Sequence, residues 1–116
     1  MATQRQALAV FGNLAVGNPT IRKELFALGA PERILGAMEE NDRDEGTQRV
    51  GCVALGNLIG MSKKRSKALY ELGGKGRVMR AMNDHAANDE VKNAGAMIMK
   101  RIEMVEEILV NSVDME

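Results

Sequence analysis

Two stretches of this 116-residue chain set an asparagine between a glycine and a leucine: Gly12-Asn13-Leu14 and Gly56-Asn57-Leu58, 44 positions apart. An arginine precedes each at the same distance, Arg5 and Arg49. A carboxamide both donates and accepts hydrogen bonds, so a row of asparagines can hold the backbone of an extended peptide repeatedly. A guanidinium beside that row can reach an acidic side chain. The chemistry on offer is recognition, not bond making.

No other residues combine into a stronger site. Cys52 is the single cysteine, which excludes an internal disulfide and suits a reducing compartment. It aligns with Leu8 and Ala96 at positions expected to face the core, and reads as a small buried hydrophobe. His85 stands alone in a loop with no metal-site spacing around it. There is no Ser/His/Asp logic, no phosphate-cradling glycine loop before a helix and no acid pair. The expectation is a chain that is not an enzyme and carries neither cofactor nor metal.

Composition narrows the partners further. Lys plus Arg and Asp plus Glu each total 16, giving zero net charge. That balance argues against bulk attraction to nucleic acid or an anionic membrane. Phe11, Phe26 and Tyr70 are the only aromatics, too few for base stacking. No apolar run could cross a bilayer, and residues 1–17 do not resemble a signal peptide. The length suits one domain spanning 1–116. A cytoplasmic protein is expected, with the nucleus as the other compartment.

The elements that would position the asparagines repeat with them. At an offset of 44, residues 3–46 and 47–90 share thirteen identities without a gap, including Thr3-Gln4-Arg5, Lys23, Leu25, Leu28, Gly29, Arg33 and Ala37-Met38. A third, partial copy occupies 91–116, aligning Val91 with Thr47 and Ile102 with Leu58. Within each copy, caps and breaks mark three helices. Asn18-Pro19 and Ser62 open a first short helix, and Asp44 and Asn88 open a long one. Gly29 and Gly73-Gly74 separate the two short helices. The long helix carries Ala7, Leu8, Phe11, Leu14 and Ala15 at helical spacing, then Gly51, Cys52, Leu55, Leu58 and Ile59, then Gly95, Ala96, Met99 and Ile102. No segment shows strand alternation, so the expected class is all-α with about seven helices.

A three-helix unit of this length, with "ALGNLIG" in its long helix and "ALYELGGKGRVMRAM" across its short ones, resembles the armadillo repeat. The resemblance covers roughly residues 3–102. HEAT repeats have two helices per unit and would not require the paired-glycine break. The resemblance implies a right-handed α-solenoid in which equivalent helices stack side by side. It also implies that Asn13 and Asn57 bind the backbone of a partner peptide on the concave surface.

On a helical wheel Arg5, Ala9 and Asn13 lie opposite Leu8, Phe11 and Leu14; their equivalents are Arg49, Val53 and Asn57, then Asn93, Met97 and Arg101. Stacking then predicts one ladder of Asn13, Asn57 and Arg101 and another of Arg5, Arg49 and Asn93. Arg101 departs from the family's asparagine and favours an acidic side chain or a carbonyl. Nuclear-import receptors of this family place a tryptophan four residues before the asparagine to cradle lysines. Here those positions are Ala9, Val53 and Met97, an apolar strip suited to a hydrophobic or helical segment. The expected function is therefore protein–protein interaction through that groove. One alternative is scaffolding: each asparagine caps its helix or bonds to the neighbouring repeat, in a structural or self-assembling fragment of a longer array. Another is a helical-repeat nucleic-acid binder, which the charge balance and scarce aromatics oppose.

Two further features stand out. "SKKRSK" (Ser62 to Lys67) has the composition of a nuclear-localisation signal but falls at a helix start, where a solvated face is the simpler reading. Residues 47–90 carry eight basic and four acidic residues, while each flank has two more acidic than basic. Finally, the first long helix lacks the short helices that would cover one flank. The last is expected to run on, with Ile102, Val105, Ile108 and Leu109 in a stripe. Pairing with a second copy through these end helices is an expected way to cover them.

Overall fold

Helix boundaries follow from capping chemistry. The computed structural model describes residues 2–16 and 18–114, with side chains described over 5–16 and 18–111. Seven helices run along these residues: α1 (Ala2–Ala15), α2 (Pro19–Ala27), α3 (Ala30–Glu40), α4 (Glu45–Ile59), α5 (Lys63–Glu71), α6 (Gly74–Asp84) and α7 (Asp89–Asp114). No strand occurs among the described residues. The side chain of Asn18 accepts from the amide of Ile21 at 3.1 Å, and Ser62 accepts from Arg65 at 3.1 Å. Asp44 accepts from Thr47 and Asn88 from Val91, both at 3.0 Å. Each cap satisfies an amide that has no partner within its helix.

The period seen in the residues recurs in the backbone. Helices α2 and α5 both have nine residues and α3 and α6 both have eleven, each pair displaced by 44 positions. The break between the short helices uses Gly29 at φ 85° and Gly73 at φ 83°, a left-handed conformation that a side chain would strain.

Long helices pack on long helices: α1 against α4, and α4 against α7. The short helices flank this row, with α3 touching α6 and α5 touching α7. The core lies between, where Ile34, Met38, Leu55, Leu58, Ile59, Leu69, Ile98 and Ile102 are fully buried. Burial of each contributes about 1.5–3 kcal/mol. Two glycines let methionines in: a Cβ at Gly51 would lie 2.6 Å from Sδ of Met38, and one at Gly95 would lie 2.6 Å from Sδ of Met82. The same lock thus occurs in both copies.

The outer helices depart from the expected core faces. Leu14 is 46% exposed and Val10 52%, although their counterparts in α4 and α7 (Leu58, Ile102, Ala54 and Ile98) are buried. Nothing among the described residues packs in front of α1. Ala96 at the other end is exposed where its counterpart Cys52 is buried. There Lys100 takes the position of Gly12 and Gly56, and Glu103 that of Ile59. Past the repeat, α7 continues over α5, burying Val105 and setting Glu106 2.8 Å from Nζ of Lys75. The hydrogen bond to Glu106 raises the Lys75 pKa.

Candidate functional site

The proposed groove residues come from the outward stripe of the long helices. Ala9 and Asn13 on α1 meet Arg49, Val53 and Asn57 on α4 around one hollow of about 160 Å³. Glu90, at the start of α7, closes one side. The helices cross closely because Gly12 faces α4: a Cβ there would lie 3.3 Å from Cα of Ala54. At the next crossing a Cβ on Gly56 would lie 3.0 Å from Cε of Met97.

The two asparagines are used differently. Nδ2 of Asn57 donates to the carbonyl of Gly12 at 3.2 Å, tying α4 to the last turn of α1. In that turn the amide of Val16 bonds Asn13 rather than Gly12, so Asn57 serves a carbonyl near a helix end. The other amide hydrogen and Oδ1 of Asn57 have no protein partner among the described residues. Asn13 is exposed, and its side chain makes no hydrogen bond among the described residues.

The remaining residues lie around this centre. Arg5 reaches Asp44 at 3.6 Å and Arg49 reaches Glu90 at 3.8 Å, so each arginine pairs with an acid at the start of the following long helix. Asp44 has a lowered pKa, chiefly through the hydrogen bond from the Thr47 hydroxyl, with help from Arg5. Asn93 and Met97 are exposed on α7. The guanidinium of Arg101 turns to the sulfurs of Met61 and Met104 instead of the Gly56 carbonyl. The hollow therefore gathers Ala9, Asn13, Arg49, Val53 and Asn57, while Arg5, Asn93, Met97 and Arg101 stand outside its lining.

Three roles were not assigned from the sequence. Gln48 is fully buried; its Nε2 donates to the carbonyls of Met38 and Asn41, both at 2.9 Å, and its Oε1 accepts from Arg77 at 3.4 Å. It closes the end of α3, and the repetition of Thr-Gln-Arg at Thr3 and Thr47 was the available signal. Arg22 and Arg65 each hold a buried Nε without a hydrogen-bond partner. For Arg65 the signal was the run of cations at the start of α5; Arg22 on α2 had none.

Cys52 is fully buried and its pKa is raised to about 11, mainly by loss of solvent. Among the described residues no group of His, Cys, Asp or Glu could hold a metal ion, and no helix is long and apolar enough to cross a membrane. Fold and hollow together define a class: an all-helical chain of repeated units whose long helices share an outward stripe. The chain matches no family model, no curated protein and no solved structure.

Proposed function

We propose that the chain is a protein-interaction module of armadillo type, a right-handed α-solenoid that binds a partner segment along its long helices. Support for the architecture comes from helices that recur at 44 residues and from packing of equivalent long helices on one another. The observation that carries the function is the convergence of Ala9, Asn13, Val53 and Asn57 on one hollow, with the Asn13 amide unengaged. An extended backbone laid there would meet carboxamide donors and acceptors beside an apolar floor. The partner is another protein, and the chemistry involved is binding alone.

The test is capture from native lysate with wild-type chain and Asn13→Ala, followed by reconstitution with each purified candidate. A partner that binds the wild type and loses affinity for the variant supports the groove. Partners that bind both chains equally defeat it.

A scaffolding reading is favoured by one specific contact, the Asn57 bond to Gly12, which uses a groove asparagine to join two helices. Under that reading the bare α1 face, with Val10 and Leu14, seats a further helix or a second copy. Light scattering at rising concentration decides this, since a strict monomer removes self-association.

A further inference from the structure

Around the turn from α4 to α5, positive charge accumulates without acids to balance it. Lys63, Lys64 and Arg65 fill the first turn of α5, which has no acidic residue. Cations at a helix N-terminus oppose its dipole. Arg22, from α2, brings a fourth: its Nη1 would lie 3.2 Å from a Cβ on Gly60, so its guanidinium covers the end of α4. Arg101 adds a fifth, lying against Met61 and sharing a crevice with Lys63.

These groups are incompletely satisfied. Nε of Arg22 and Nε of Arg65 are buried and make no hydrogen bond, a state that Arg77 on α6 shares, although Arg77 donates through Nη2 to Gln48. None of the five ion pairs among the described residues includes Arg22, Lys63, Arg65 or Arg101. The other end of the long helices differs, because Arg5 and Arg49 are paired there with Asp44 and Glu90. Burial, and then the charge of Arg22, lowers the pKa of Arg65, as expected of neighbouring cations short of anions. Arg22 complements the dipole at the end of α4 while the α5 cations oppose theirs, and a cluster that leaves charge and hydrogen-bonding needs unmet together marks a binding surface better than a structural one.

We infer that Arg22, Arg65 and Arg101 form an anion-binding edge of the groove that takes the carboxylates of an acidic protein segment. This deepens the groove reading above and rests on it for the path of the segment. Guanidinium forks suit carboxylates, and a bound acid would supply the partners that the two Nε–H groups lack. The paired arginines at the far end then give the bound segment a direction, its acidic end lying over Gly60.

The experiment uses the intact chain and fluorescein-labelled oligoglutamate, read by anisotropy against oligoglutamine and a single-stranded oligonucleotide of equal length. Oligoglutamate is expected to bind over oligoglutamine and to weaken with added salt, and the Arg22→Gln/Arg65→Gln variant should lose about fivefold or more in affinity. That variant should melt no lower than the wild type, because it removes a repulsion; a lower melting point overturns the inference. Equal binding of the two peptides, unchanged affinity in the arginine variant, or tighter binding of the oligonucleotide also overturns it. Asn13→Ala, tested alongside, separates the two readings. Loss there but not in the arginine variant keeps the groove and removes the edge; loss in the arginine variant alone supports the edge and counts against the groove.

Discussion

The Asn57 side chain bonds the Gly12 carbonyl at 3.2 Å, although 45 residues separate them in the chain. The glycine and the asparagine of the repeated Gly-Asn-Leu motif therefore meet across copies, glycine from one and asparagine from the next. Removing the amide should expose that dependence. Asn57→Ala is expected to cost about 0.5–1.5 kcal/mol in urea denaturation. Asn13→Ala, which lacks such a partner, should leave stability within about 0.5 kcal/mol.

Gln48 closes two carbonyls at the end of α3 in a dry environment. Gln48→Ala leaves both without that donor and should destabilise by about 1–3 kcal/mol. Hydrogen exchange should show the loss first in the last turn of α3 and at the start of α4.

The methionine locks predict opposite signs for chemically identical changes. Gly51→Ala drives a methyl into the buried Met38 and should cost about 1–3 kcal/mol, less the gain in helix propensity. At Gly36 and Gly76 a Cβ would meet nothing within 4 Å, so alanine there should stabilise by about 0.4–1 kcal/mol. Thermal melts of the three variants check the order.

Equivalent leucines should differ in cost. Leu58→Ala empties a fully buried site and should lose about 2–5 kcal/mol. Leu14→Ala, at the same place in the preceding copy but 46% exposed, should lose clearly less than half of that.

Cys52 sets a pH dependence. Its pKa rises from an ordinary 9.0 to about 11 in the fold, so the folded thiol keeps its proton where the unfolded one releases it. The unfolded chain then binds fewer protons between those values, and stability falls as pH rises through them, by on the order of 2 kcal/mol from this group. Cys52→Ala should flatten that part of the curve relative to the wild type. At neutral pH the native thiol should resist a thiol reagent that labels the unfolded chain at once.

The helical architecture was legible because its signals are local. Asn18, Asp44, Ser62 and Asn88 act within three residues of themselves, and Gly29 and Gly73 within one turn. Equivalence by period also identified the long-helix stripe. What a period cannot show is an edge: Leu14 and Ala96 have the pattern of core residues but lack the neighbour that would bury them. Nor does it reveal long-range polar contacts. The partners of Gln48 lie in α3, at the Asn41 cap that follows it and in α6, and Arg22 reaches Gly60 across 38 positions. The solvated-face reading of the Lys63–Lys67 run overlooked Arg65, because a count of charges carries no information about depth.

Lys100 stands where glycine allows the two interior crossings. A helix approaching α7 at the same distance would have to displace or desolvate the Lys100 ammonium and the Glu103 carboxylate that line one hollow there, at a cost of several kcal/mol. The α1 side, with Val10 and Leu14, presents no such obstacle. Self-association is therefore expected through the α1 flank, which would pair two copies rather than extend them head to tail into a fibre.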